Sequence, residues 1–113
     1  MAQIDLSYLN SVSGGDQAFV NEMLKMIMSN TFPEIEKLKK AQKLNRWGEI
    51  SVIAHKIKAP IQMLGVPVLS DLITEIERHG KVLSNPELLA EKIPLLEILI
   101  IEITEEIEEI LNK

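Results

Sequence analysis

The chain has 113 residues, a net charge of −5 and no cysteine, and 46% of its residues are hydrophobic while only 4% are aromatic. This length allows one hydrophobic core and excludes a nucleotide-binding domain joined to a substrate domain, so residues 1–113 are predicted to form a single domain. The acidic balance argues against nucleic acid as a partner. The abundance of leucine, isoleucine, glutamate and lysine favours an all-α fold.

The first predicted elements are a short leading helix and a long second helix. Residues 5–10 form the leading helix, and the Ser-Gly-Gly segment 13–15 ends it, because glycine accepts the left-handed conformation of a helix C-cap. Asp16 is a predicted N-cap for the second helix. Apolar residues then keep helical spacing from Gln17 to about Leu44.

Proline residues interrupt two of the predicted helices. Pro33 should kink the second helix, and Thr31 and Glu34 would form a capping box if the helix restarts there. Pro60 should bend the third helix, since it removes a backbone hydrogen bond. That helix presents one apolar stripe to a core, formed by Ile50, Ala54, Ile57, Ile61 and Leu64.

Two more helices complete the predicted fold. A break at residues 65–67 leads into a helix that is expected to stop near His79, with Gly80 as its cap. Residues 84–87, Ser-Asn-Pro-Glu, form a second start signal. In the last helix, apolar residues follow one another at alternating intervals of four and three residues, as expected for packing in a helix bundle. They are Leu89, Ile93, Leu96, Ile100, Ile103, Ile107 and Ile110.

These elements predict an antiparallel up-down four-helix bundle with a short N-terminal leading helix. The last helix carries further apolar residues outside its stripe, namely Leu95, Ile98, Leu99 and Ile101. They indicate either deeper burial within the bundle or packing against a second copy or a neighbouring domain. We favour burial and expect a monomer.

The main clue to function is the position of His55 on the third helix. It lies outside the apolar stripe and shares a polar strip with Ser51, Lys58 and Gln62, at spacings that bring side chains together on a helix surface. An exposed imidazole is largely neutral at pH 7 and can attack an acyl phosphate to give phosphohistidine. An ordinary surface histidine is the simpler interpretation of this residue taken alone.

The neighbours of His55 suit a transferred phosphoryl group. Lys58 can stabilise the group by charge-assisted hydrogen bonds, Lys56 adds more distant positive charge, and Gln62 can donate a hydrogen bond. Ser51 and Ala59 are small and leave the imidazole accessible to a protein partner. The strip has no phosphate-binding glycine loop and no acidic cluster for magnesium, so a carrier without its own ATP or metal site is predicted, rather than an enzyme.

This region resembles the histidine-containing phosphotransfer (HPt) family. The resemblance spans roughly residues 4–80 and is centred on Ala54 to Ala59 (Ala-His-Lys-Ile-Lys-Ala), followed by Met63-Leu64-Gly65 and residues 69–77. The sequence departs from the family pattern at Ala59, where glycine is usual, and at residues 60–61, Pro-Ile, where a pair of small hydroxyl residues is usual. Alanine is still small, so docking of a partner is expected to survive the first departure.

The resemblance implies a four-helix bundle in which His55 accepts a phosphoryl group from the aspartate of a receiver domain and passes it to another. Lys58 would be the electrostatic partner of His55. Receiver domains of response regulators or hybrid sensor kinases would supply Mg²⁺ and dock against Ser51, Lys56 and Ala59. No resident cofactor is implied. The alternative is a degenerate member that binds a receiver or a kinase without phosphoryl chemistry.

The remaining features favour structural interpretations. His79 lies near a predicted helix end, where the dipole favours a cation, and two histidines without cysteine make a poor zinc site. The most apolar run, residues 93–103, contains Pro94 and two glutamates and is shorter than the roughly 20 residues that a bilayer requires. With no signal-like N-terminus and no cysteine, a cytoplasmic protein without membrane insertion is expected.

Overall fold

The computed structural model describes residues 3–82 and 86–113, which form helices and contain no strand. The helices are α1 (Ser7–Ser13), α2 (Gln17–Met26), α3 (Glu34–Lys43), α4 (Trp47–Gln62), α5 (Pro67–Val82) and α6 (Pro86–Leu111), and a π-helical segment, Ile27–Thr31, links α2 to α3. The prediction of an all-helical chain is confirmed. None of the described helices is long and apolar enough to span a lipid bilayer.

The connection between α1 and α2 follows the predicted cap residues. Gly14 adopts a left-handed conformation with φ of 64° and ends α1. The carboxylate of Asp16 accepts a hydrogen bond from the backbone N–H of Phe19 and so caps α2. The leading helix begins and ends two to three residues later than predicted, within the ordinary uncertainty of helix ends.

The predicted interruption of the long helix is present, but its predicted cap is wrong. The interruption begins at Ile27 as a π-helical segment, and Pro33 occupies the N-cap position of α3, where no side chain accepts a capping hydrogen bond. Thr31 is buried within the π segment. Glu34 does not complete a capping box because its carboxylate pairs instead with two lysines, Lys37 and Lys56.

The buried stripes of α4 and α6 match their predicted residues. All five apolar residues of the α4 stripe are buried, and so are the first six of the seven in α6, with Ile110 half-buried. The helices pack mainly as α4 against α5, α5 against α6 and α3 against α4. With 26 residues, α6 is about 39 Å long at 1.5 Å per residue, and it extends along most of the 43 Å long axis of the molecule.

The predicted N-terminus of α6 can be compared with the structure only from Pro86 onward. The two N-cap candidates, Ser84 and Asn85, lie outside the described residues. Pro86 is the first residue of α6, and Glu87 lies in its first turn. A proline at this position loses no hydrogen bond, since the first N–H groups of a helix have no partner within it. An acid in the first turn interacts favourably with the helix dipole.

The predicted end of α5 is wrong. Gly80 is not a cap, because α5 continues to Val82. A Cβ atom at Gly80 would lie 3.0 Å from both the backbone nitrogen of Ser51 and the backbone oxygen of Trp47. Gly80 therefore allows α5 to approach the backbone of α4 closely, one turn before His55.

The burial predicted for the extra apolar residues of α6 is also wrong for three of the four. The side chains of Leu95, Ile98 and Ile101 are exposed, and only Leu99 packs against the core as a half-buried residue. One face of α6 already fills the space beside α3 and α5. A helix with apolar residues on further faces must then leave some of them in solvent.

A backbone strap joins the N-terminus to the turn between α4 and α5. The backbone N–H of Asp5 donates to the carbonyl of Leu64 over 2.9 Å, and the N–H of Ile4 donates to the carboxylate of Glu106 over 3.0 Å. Gly65 has φ of +65°, and a Cβ atom there would lie 2.6 Å from the carbonyl oxygen of Asp5. The turn therefore requires glycine both for its conformation and for the space.

Gly65→Ala is expected to lower the unfolding free energy by about 2 kcal/mol, because it combines left-handed strain with a clash against backbone. Gly48→Ala is the matched control: Gly48 lies in α4 and a Cβ atom there meets nothing within 4 Å. The control should raise stability by about 0.5 kcal/mol through helix propensity. Urea unfolding followed by circular dichroism measures both variants, and equal stabilities would contradict the role of the strap.

Glu34 links α3 to α4 through a nearly buried ion pair. Its carboxylate lies 2.7 Å from the Lys56 ammonium and 3.3 Å from that of Lys37, and its side chain is 9% exposed. The hydrogen bond from Lys56 lowers the pKa of Glu34 below its ordinary value, although burial opposes this shift. A lowered pKa in the folded state means that the ionised carboxylate stabilises the fold.

Glu34→Gln should therefore cost about 1 to 2 kcal/mol at pH 7. The contribution of Glu34 is fully present above the pKa that it has in the unfolded chain, and it is lost as the pH falls through the lower folded pKa. The wild type should thus lose stability more steeply than the variant between about pH 5 and pH 3. Parallel stability curves over this range in chemical unfolding would contradict the assignment.

Candidate functional site

His55 projects from the solvent-facing side of α4. The buried stripe of α4 leaves His55 on the opposite side, and its side chain is 78% exposed. Nδ1 of His55 lies 2.7 Å from Oε2 of Glu77 on α5. The predicted exposure of the imidazole is thus present, and a carboxylate that the sequence analysis did not single out binds one of its two ring nitrogens.

Glu77 binds Lys58 as well as His55. Its second carboxylate oxygen lies 3.2 Å from Nζ of Lys58, and the Glu77 side chain is only 13% exposed. Burial acts to raise the pKa of Glu77, but the hydrogen bonds from His55 and Lys58 outweigh it and hold the pKa below its ordinary value. Glu77 is therefore ionised at neutral pH and accepts both hydrogen bonds.

The ionised carboxylate determines which nitrogen of His55 carries the proton. A carboxylate only accepts hydrogen bonds, so Nδ1 is the protonated nitrogen and donates to Glu77. In the neutral ring, Nε2 then keeps its lone pair. The exposed imidazole is held in one tautomer, with Nε2 available as a nucleophile.

The close packing of α5 on α4 explains how Glu77 reaches His55. Gly80, one turn beyond Glu77, allows α5 to lie against the backbone of α4 near Ser51. The turn residue Val66 is eleven residues from both His55 and Glu77. In two antiparallel helices joined at this turn, the two side chains lie at the same height. The equal distance of His55 and Glu77 from the turn could therefore have predicted their contact from the sequence.

A shallow surface cavity of about 270 Å³ adjoins His55 and is lined by Ser51, Val52, His55, Glu77 and Lys81. Lys81 is a second residue that the sequence analysis did not single out. It is exposed and forms no ion pair within residues 3–82 and 86–113. Among the described residues its ammonium is thus unpaired beside this cavity, whereas Lys58 is paired with Glu77.

Among the described residues, none of the other predicted site residues forms a hydrogen bond with His55. Lys56 is directed to α3, where Glu34 neutralises its charge. Ala59 and Gln62 line a second cavity of about 270 Å³ together with Tyr8 and Met63. The described part of the chain offers no hydrogen-bond partner to the Gln62 side chain, and the imidazole is bound by Glu77 instead.

A larger cavity of about 470 Å³ lies between α3 and α4, on the other side of Val52. Val52 lines both this cavity and the one beside His55, and it is 69% exposed. Its lining contains the cations Lys37, Lys40 and Arg46 and one acid, Glu49, which pairs with Arg46. The surface around His55 thus combines exposed apolar groups with local positive charge, although the whole chain is acidic.

The second histidine does not belong to this surface. His79 lies in the last turn of α5, as the predicted structural role requires, and is 9% exposed. Its Nδ1 atom is buried and has no hydrogen-bond partner within residues 3–82 and 86–113. A buried imidazole is a poor target for a protein that carries a phosphoryl donor. Among the described residues, no three histidine or acidic side chains are arranged to hold a metal ion.

Comparison with known families agrees with this geometry. The model of the Hpt domain family matches residues 22–113. The chain belongs to the Hpt domain family. The match includes α6, which lies beyond the resemblance at residues 4–80, and it leaves out α1. No curated protein and no solved structure matched the chain.

Membership of the family gives the general activity. Hpt domains take part in histidine phosphotransfer within phosphorelays, and they are phosphoryl carriers rather than conventional enzymes. They interact with receiver domains of two-component systems. The predicted family and this general role are confirmed.

Proposed function

We propose that this Hpt domain carries the phosphoryl group on His55, accepting it from the aspartate of one receiver domain and passing it to another. The observation that carries the proposal is the hydrogen bond between Nδ1 of His55 and the ionised Glu77. In the neutral ring it places the lone pair on Nε2, on a side chain that is 78% exposed. A fixed tautomer with an accessible lone pair is what a nucleophilic histidine requires.

The transfer step follows from this arrangement. Nε2 attacks the phosphorus of the aspartyl phosphate, an N–P bond forms, and the P–O bond to the aspartate breaks to release its carboxylate. The proton stays on Nδ1, so the phosphorylated ring is cationic and is stabilised by the negative charge of Glu77. The reverse sequence passes the phosphoryl group to an aspartate of the next receiver. The receiver supplies Mg²⁺ for each transfer.

Lysine residues on both sides of His55 would bind the phosphoryl oxygens. Lys58 pairs with Glu77, the carboxylate that also binds His55, and its ammonium would compensate the charge of the incoming phosphoryl group. Lys81 borders the same cavity without an ion pair among the described residues. Gln62 lies two turns from His55 and would contribute a hydrogen bond at the edge of the docked partner.

The proposed docking face for the receiver consists of Ser51, Val52, Lys56 and Ala59 around His55. Val52 and Ala59 are exposed and small, and they flank the imidazole at distances of one turn along α4. An exposed apolar rim around a reactive side chain favours close protein contact. The Ala59 side chain is a single methyl group, so it leaves room for a partner beside His55, at a position where the family usually has glycine. Pro60 continues α4 without a break but removes the hydrogen bond to the carbonyl of Lys56.

We also propose the arrangement of the helices that presents this face. The linked pair α2 and α3, together with α4, α5 and α6, would form an antiparallel up-down four-helix bundle preceded by α1. The connections of a few residues between α3 and α4 and between α4 and α5 support this, because short turns join antiparallel neighbours. Residues 1–113 would act as one monomeric cytoplasmic domain.

The proposal is tested by transfer from a panel of phosphorylated receiver domains to the purified chain. Acid-labile label on the wild type after incubation with a receiver and Mg²⁺ is the expected result, and ATP alone should give none. A degenerate binding module would instead bind a receiver without accepting label. Binding without label across the panel, by a chain that is folded by circular dichroism, would overturn the proposal.

A further inference from the structure

The outer face of α6 carries an apolar patch that the bundle leaves uncovered. Leu95, Ile98 and Ile101 are 45%, 55% and 55% exposed, and Val68 of α5, at 53%, lies beside Leu95 around a shared surface cavity of about 340 Å³. These four residues are called the α6 patch. Clustered exposed aliphatic side chains over two helical turns indicate a surface that is covered by a partner.

Glutamates lie beyond both ends of the patch on the same side of α6. Glu91 precedes Leu95 by one turn, and Glu105 follows Ile101 by one turn. Both are exposed, and neither forms an ion pair with the residues that the structure describes. Glu97, by contrast, faces α3 and pairs with Lys39. Glu102, one turn after Ile98, is half-exposed on the same side and also has no ion pair among the described residues. The patch is thus an apolar strip with one unpaired glutamate at its N-terminal end and two, Glu102 and Glu105, at its C-terminal end.

This distribution of charge disfavours a second copy of the chain as the partner. A two-fold antiparallel pairing of α6 about Ile98 would place Glu91 against Glu105 of the second copy, because each lies seven residues from Ile98. A parallel pairing would place each glutamate against its own counterpart. Like charges face each other in both arrangements and oppose association.

We propose that the α6 patch binds an amphipathic helix of another protein, whose aliphatic side chains are flanked at both ends by lysine or arginine. Glu91 and Glu105 are 14 residues apart, so the two basic groups should be separated by about 21 Å, which is about four turns of helix. The apolar strip supplies the contact area, and the terminal charges select a basic partner. The proposal does not depend on phosphoryl transfer at His55.

The test uses two synthetic helical peptides with identical leucine-rich centres. One peptide has lysines 14 residues apart at its ends, and the other has glutamates at the same positions. Fluorescence anisotropy with the full chain should show saturable binding of the lysine peptide and at least about tenfold weaker binding of the glutamate peptide. Raising the salt concentration should reduce this preference, since the terminal charges are exposed.

Two variants and their controls locate the binding surface. Ile98→Gln should weaken binding of the lysine peptide by about tenfold, whereas Val12→Gln, an exposed aliphatic residue on α1, should leave it unchanged. Glu91→Gln combined with Glu105→Gln should remove most of the preference between the peptides. Glu108→Gln on the same helix should preserve it. Labelling of His55 by a receiver should be unaffected by Ile98→Gln, which separates this test from that of the proposed function.

Three results would overturn the proposal. Absence of lysine-peptide binding, or equal binding of both peptides, would remove the basic amphipathic helix as the partner. A dimer in analytical ultracentrifugation that Ile98→Gln dissociates would identify a second copy as the occupant instead. None of these three results would bear on the labelling of His55.

Discussion

His55→Gln is expected to abolish phosphoryl labelling while leaving the fold intact. The imidazole is 78% exposed and contributes little to the core, so glutamine at this position should change the unfolding free energy by about 0.5 kcal/mol or less. Glutamine can still donate a hydrogen bond to Glu77, but its amide nitrogen has no basic lone pair and cannot form the N–P bond. Transfer from a phosphorylated receiver should fall to background.

The second histidine provides a control within the same chain. His79 remains in the His55→Gln variant, and it is buried, so no label should appear there. The measurement is acid-labile label per mole of protein, with circular dichroism and thermal unfolding to show that the variant is folded. Label on His55→Gln equal to that on the wild type would place the phosphoryl group on another residue and refute the assignment of His55.

Substitution of Glu77 should have the second largest effect. Glu77→Ala frees Nδ1, so the ring is no longer held with Nε2 unprotonated, and the cationic phosphoimidazole loses its compensating charge. We expect the rate of transfer to His55 to fall by about 100-fold. Glu77→Gln keeps an oxygen acceptor for the Nδ1 proton but loses the charge, and should fall by about tenfold.

Comparison of the two Glu77 variants shows whether Glu77 orients the His55 imidazole or only stabilises the fold. A merely structural role would lower stability and affect labelling only through the folded fraction. Single-turnover transfer rates with one receiver, and the ¹⁵N chemical shifts of the imidazole, provide the comparison. The nitrogen shifts should report one tautomer in the wild type and in Glu77→Gln and a mixture in Glu77→Ala. Equal rates in all three proteins would contradict the proposed role.

The apolar stripes and caps of this chain were predictable because each depends on residues close in sequence. Helical spacing along α4 identified the buried stripe and therefore the exposure of His55. Gly14 and Asp16 act at the helix ends where their types predict them, since capping involves the adjacent turn. Glu34 is the counterexample: its position suited a capping box, yet the nearby ammonium of Lys56 offers a stronger partner.

The structural roles of Gly80 and Ile98 could not be predicted from the sequence, because glycine and isoleucine each occur in several kinds of position. Gly80 suited a helix cap equally well as a close contact between helices, and only the position of α4 distinguishes the two. Ile98 could have been either buried or exposed, because α6 has apolar residues on several faces. The number of faces that a bundle covers depends on its neighbouring helices rather than on the helix itself.

The sequence by itself determined that this protein is helical, that α4 and α6 each bury one stripe, and that His55 faces solvent with Lys58 one turn away. Only the tertiary structure decided that Glu77 binds both of these residues and that the α6 patch stays uncovered. The physical reason is the range of the interactions. Periodicity and capping act within about two turns of one helix, whereas the partner of a side chain on another helix depends on how closely and at what rotation the two helices pack.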